Sequence, residues 1–82
     1  MTAFRRLSLY HRPGCHLCDE MLEAVEMLCH GRNVVVEVVD IDRDAGLSAK
    51  YGRDIPVLTT GDTELCRHRL DVDRLREWLS SI

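Results

Sequence analysis

Eighty-two residues, 45% apolar and 30% charged, make one small globular domain, too short for a second core and too apolar for a disordered tail. The net charge of −3 and the scattering of the arginines (Arg5, Arg6 and Arg12 near the start, Arg67, Arg69, Arg74 and Arg76 near the end) argue against a nucleic-acid partner, which selects clustered positive charge. No apolar run approaches the roughly 20 residues that cross a bilayer, so no membrane partner is expected.

In chain order, RLSLYH (residues 6–11) alternates apolar and polar side chains and stops at Pro13-Gly14, a short strand and a turn. From Cys15 to about His30, the positions Cys18, Met21, Leu22, Val25, Leu28 and Cys29 recur at helical spacing. Asp19, Glu20, Glu23 and Glu26 take the other face, and Gly31 is a stop signal. VVVEVVDI (34–41) is a β-branched run expected as a strand covered on both faces. Asp42 or Asp44 caps a short helix over AGLSAKY that ends at Gly52. IPVLTT is a strand opening at Pro56, and TELCR follows across the hairpin turn Gly61-Asp62. Asp71 caps a closing helix whose apolar positions are Val72, Leu75, Trp78, Leu79 and Ile82. The order β-α-β-α-β-β-α predicts an α/β domain: a mixed sheet of about four strands with helices on both faces.

The opening MTAFRRLSLYHRPG carries no apolar core of signal-peptide length, so the expected compartment is the cytoplasm. Thiols are kept reduced there, and four cysteines are not read as a structural disulfide framework. The stretch Cys15-His16-Leu17-Cys18, at a strand-to-helix junction, is open to three readings: half of a metal site, a redox couple, or two buried thiols. The spacing itself carries chemistry. A cysteine at the start of a helix meets unpaired N–H groups and the positive end of the dipole, which favour a thiolate. Cys18, one turn on, begins the apolar stripe and is the less exposed of the two, suited to resolve a mixed disulfide formed on Cys15.

This order of elements, with YHRPGCHLC at the first junction and VVDIDRDAGLSAKYGRDIPVL leading into the third strand, resembles the thioredoxin fold and most closely its small glutaredoxin-like members. The resemblance implies a monomeric thiol–disulfide oxidoreductase with nucleophilic Cys15 and resolving Cys18. It acts on protein or small-molecule disulfides, with no tightly bound cofactor and with glutathione as a candidate co-substrate. It further implies a cis Ile55-Pro56 bond beside the sulfur pair, with the main chain of Ile55 free to pair with a bound peptide or glutathione. His16 and Arg12 are candidates for tuning the Cys15 pKa; an exposed histidine and a solvated loop arginine are the plainer readings of the same residues. Asp71 is the candidate acid for glutathione's amino group, a position its helix-capping role explains equally well.

The chain departs from glutaredoxins in carrying His16-Leu17 between the cysteines in place of proline and an aromatic residue. It also has CRHRLDVD where a Gly-Gly pair is expected, so Arg67, His68 and Arg69 crowd or recharge that surface. Cys29 and Cys66 fall outside the motif and read as buried small side chains. The alternative function is metal or glutathione-dependent iron–sulfur binding, in which Cys15, His16 and Cys18 supply ligand types and Cys66 with His68 completes a four-ligand zinc set.

Overall fold

A computed structural model of the chain describes residues 4–81. Its elements are β1 (Arg5–His11), α1 (His16–Cys29), β2 (Val34–Asp40), a 3-10 turn (Ile41–Arg43), α2 (Ala45–Tyr51), β3 (Val57–Thr60), β4 (Thr63–Arg67) and α3 (Val72–Ser80). Ile82, placed on the apolar stripe of the last helix, lies outside the described residues.

The four strands form one sheet in the order β2-β1-β3-β4. The β1–β2 pair is parallel, as a strand–helix–strand connection requires, and β1–β3 and β3–β4 are antiparallel. On one face Leu7, Leu9 and Leu58 of the sheet meet Met21, Val25 and Cys29 of α1 and Leu75 of α3. On the other, Val57 packs with Ile41 and Tyr51, joined by Tyr10, Leu47 and Ile55. The Tyr10 and Tyr51 rings stack there at a centroid distance of 4.4 Å. Period-two alternation in β1 makes this division: odd positions serve one core and Tyr10 the other. Arg5 ties the end of α3 to the sheet, donating from Nη1 to the carbonyls of Trp78 (2.7 Å) and Ser81 (2.9 Å) while lying over the Trp78 ring.

One expectation fails. The valine run of β2 is not covered on both faces: β2 is an edge strand, with Val35 44% and Val38 40% exposed. The two lie on opposite faces of the strand: Val38 is level with Leu9 on the α1 face, and Val35 is on the face of α2, whose seven residues span only about 10 Å. Glu37 and Asp40 on the strand supply the charge that keeps an exposed edge from pairing with another chain. The choice between Asp42 and Asp44 also resolves. Asp44 is the cap, accepting from the amides of Gly46 and Leu47.

The register decides which loops meet. Residues opposite one another are His11 and Asp40, Tyr10 and Val57, and Val57 and Arg67. The segments that follow β1, β2 and β4, and the segment that precedes β3, therefore all emerge at one end of the sheet.

Candidate active site

Arg12, Pro13, Gly14 and Cys15 make a tight turn closed by the Cys15 N–H donating to the Arg12 carbonyl at 3.1 Å. Proline at the second position and a glycine at φ +82 at the third are what a type II turn requires. The turn delivers Cys15 to the start of α1 as its N-cap rather than as its first helical residue. The backbone there is extended, and Sγ accepts the Cys18 N–H at 3.2 Å. That amide is one of the donors an α-helix leaves without an internal partner. In the reduced protein the same amide and the dipole behind it stabilise a Cys15 thiolate.

Cys18 faces inward, 1% exposed, while Cys15 is half-buried and reachable. The two are disulfide-bonded with their Cα atoms 5.2 Å apart, within the span such a bond normally bridges. Accessibility thus distinguishes the two sulfurs, with Cys15 open to solvent and Cys18 behind it.

His16 is exposed and its Nε2 sits 3.2 Å from Glu20 Oε1, one turn along α1. Arg12 directs Nε to both carboxylate oxygens of Asp42, at 2.9 and 3.0 Å. Both candidate tuning residues therefore have carboxylate partners, and Arg12 braces the active-site turn against the end of β2.

The Ile55–Pro56 peptide is cis, and Pro56 is buried. Its carbonyl accepts the His68 N–H at 2.8 Å. The Ile55 N–H is already donated to Tyr51 O at 3.1 Å, so the main chain of Ile55 is not wholly free, and its carbonyl is the group left to meet an added strand. His68 has φ +67, the left-handed conformation that favours glycine. The loop takes a glycine's backbone shape where the sequence has a histidine.

Leu17, Glu20 and Met21 on one side and His68, Arg69 and Leu70 on the other enclose a groove of about 230 Å³. Leu17, one of its lining residues, lies between the two cysteines in sequence. Asp71 stands elsewhere: its Oδ1 accepts the Arg74 N–H at 3.0 Å as the cap of α3, and it lines a separate hollow with Leu65, Arg74 and Trp78.

The other thiols are set apart. Cys29 is buried on α1, and that burial pushes its pKa up, with Arg32 opposing. Cys66 packs half-buried against the same core. Burial raises its pKa too, against the pull of a hydrogen bond from the Asp71 backbone. Cys15, Cys18, Cys66 and His68 do not converge on a common point: among the described residues no group of three or more His, Cys, Asp or Glu side chains is placed to hold a metal ion. Nor is any helix among them long and apolar enough to cross a membrane.

Sequence reasoning passed over Asp54, whose carboxylate is held by Arg67 and His68. Its place directly before Ile55-Pro56 was the available signal.

Comparison with known proteins agrees with this geometry. The profile of the "Glutaredoxin-like domain (DUF836)" family matches residues 6–80. A curated protein of Dictyostelium discoideum, described as a glutaredoxin-like protein and YDR286C homolog, is 30% identical over 82 residues, covering 93% of this chain and 76% of that one. The solution structure of Ne2328 from Nitrosomonas europaea superposes with a TM-score of 0.84 at 36% identity, covering 98% of this chain and 96% of its own. The glutaredoxin-like NrdH-redoxin of Escherichia coli, described for a thioredoxin-like activity profile, gives 0.60 at 28% identity, covering 87% and 92%. The fold is the thioredoxin fold, and a Cys-x-x-Cys pair at the start of its first helix supports a redox role.

Proposed function

The chain belongs to the glutaredoxin-like domain family, and from that premise we propose that it is a dithiol thiol–disulfide oxidoreductase. The Cys15 thiolate attacks one sulfur of a substrate disulfide. A Cys15–substrate bond forms as the substrate's own S–S bond breaks, and the second substrate sulfur leaves as a thiolate that takes up a proton. Cys18 then loses its proton and attacks Cys15 Sγ, closing the internal disulfide and releasing the first substrate sulfur. Two electrons pass from the protein to the substrate, and an external thiol, a dithiol reductant or two glutathione molecules, restores the pair.

The observation that carries this reading is the capping geometry at Cys15. One sulfur is exposed enough to attack and receives an unpaired helix amide, with a second sulfur buried behind it within bonding reach.

Reduction of insulin by dithiothreitol, with acid quenching and intact-mass readout, tests it. Wild-type protein accelerates the reaction and Cys15→Ser does not; mixed with insulin after reduction and removal of the dithiothreitol, Cys18→Ser accumulates as an insulin-chain adduct on Cys15. Release of free insulin chains by Cys18→Ser without added thiol would remove the resolving role of Cys18.

A further inference from the structure

Outside the sulfur pair, the active end of the sheet carries a charged clamp. Arg67, the last residue of β4, reaches Asp54 Oδ2 with Nη1 at 3.0 Å. Its Nε and Nη2 grip the two carboxylate oxygens of Glu64 at 2.8 and 2.5 Å. Such a two-point fork fixes the guanidinium plane and its direction. The hydrogen bond from Arg67 holds the Glu64 carboxyl below its ordinary pKa, so the partner stays charged. Asp54 is pinned from behind as well, its N–H donating to Tyr51 O at 2.8 Å.

A second observation concerns the backbone beside it. His68, at φ +67, is the centre of a three-residue turn closed by the Arg69 N–H donating to Arg67 O at 2.7 Å. Turns of this kind with a positive central φ are rare and strained, and such strain persists only where surrounding contacts over-determine it. Here those contacts are the His68 N–H to Pro56 O and the approach of His68 Nε2 to Asp54 Oδ1 at 3.5 Å. Every link joins the segment 54–56 to the segment 67–68. The first carries the Ile55–Pro56 edge and the second the His68–Arg69 wall of the groove beside Leu17.

An isolated exposed ion pair contributes little to stability. The consequence of this network is geometric. A disulfide borne on a polypeptide brings flanking residues to this end of the sheet, where the Ile55–Pro56 edge and the His68–Arg69 wall both lie, whereas a small disulfide needs only Cys15 Sγ. We propose that Arg67, braced by Glu64 and Asp54, is a positioning residue that locks edge and wall into one docking rim and so makes the site selective for disulfides carried on polypeptides. This rests on the oxidoreductase reading.

The test is single-turnover oxidation of pre-reduced protein by excess insulin or by bis(2-hydroxyethyl) disulfide, read as the Cys15–Cys18 disulfide by acid quench and intact mass. Arg67→Met raises the half-saturating insulin concentration about fivefold with little change in the maximal rate. Its rate with the small disulfide and its reduction potential stay at wild-type values. Asp54→Asn moves insulin in the same direction, and the double variant is no worse than Arg67→Met, as expected when two residues act through one contact. Unchanged insulin saturation in both single variants, or equal losses with both disulfides, overturns the proposal. If wild-type protein reduces neither disulfide, the oxidoreductase reading falls and takes the proposal with it.

Discussion

Two helices of this molecule begin on nearly the same backbone: Cys15 caps α1 at φ −83, ψ 104, and Asp71 caps α3 at φ −88, ψ 96. In each, a side-chain atom accepts the N–H of the residue three positions on, at 3.2 Å from Cys18 and 3.0 Å from Arg74. The carboxylate of Asp71 is a strong acceptor and an ordinary N-cap, and it serves the helix. A thiol fills the same position only weakly until it ionises. At Cys15 the helix therefore favours a charged sulfur, and in the proposed reaction a stabilising device becomes a means of activating the attacking group. What differs is the side chain placed there and the buried Cys18 behind it, not the architecture.

The largest way to break this comparison is Cys15→Ser. Serine is a good cap, so urea unfolding under reducing conditions should place the variant within about 0.5 kcal/mol of the reduced wild type. Disulfide turnover, which needs the thiolate, should fall by at least about a thousandfold. At α3 the consequences reverse. Asp71→Ala should lower the unfolding free energy by about 1 kcal/mol and Asp71→Ser should recover most of it. A full loss in Asp71→Ser would mean that Asp71 does more than cap.

The thiols that cap nothing sharpen the contrast. Burial raises the pKa of Cys29 and of Cys66, so the folded state favours their neutral forms. Their contribution is complete below the unfolded thiol value of about 8.5 and is lost as pH climbs through the raised folded-state values. Unfolding midpoints of the reduced protein should accordingly decline above that pH, and less steeply in Cys29→Ala. At pH 7.5 iodoacetamide should label Cys15 at least about tenfold faster than either buried thiol. The smallest effect is expected at His68, whose φ of +67 suits glycine. His68→Gly should raise stability by about 0.5 kcal/mol, strain relief partly offset by glycine's greater chain entropy and the lost approach to Asp54.

What could be read from the sequence was what is encoded locally. Pro13-Gly14 announced its turn, the 3.6-residue period from Cys18 to Cys29 its helix, Gly61-Asp62 its hairpin and Asp71 its cap. Cys15 and Cys18 stood out because their spacing alone brings two sulfurs together on one helical turn. The valines of β2 misled because a β-branched run looks the same at an edge as at the centre of a sheet. Their cover depends on where α1 and α2, separate segments of the chain, come to lie. The partners of Arg12 and Asp54 were hidden for a related reason. Asp42 lies 30 residues beyond Arg12, and only the register of the sheet brings such pairs to one end. The bulge between Leu58 and Thr59 and the left-handed His68 likewise answer to neighbouring strands and loops rather than to local propensity.

The central claim, that Cys15 and Cys18 form a working dithiol–disulfide couple, is tested most directly by equilibrating the protein in defined glutathione redox buffers, trapping with acid and reading intact mass. Clean interconversion of dithiol and internal disulfide is expected, with a midpoint between about −270 and −120 mV, the span of thioredoxin-fold couples. Persistence of two free thiols at every poise, or glutathione adducts on Cys15 that Cys18 never displaces, would contradict it.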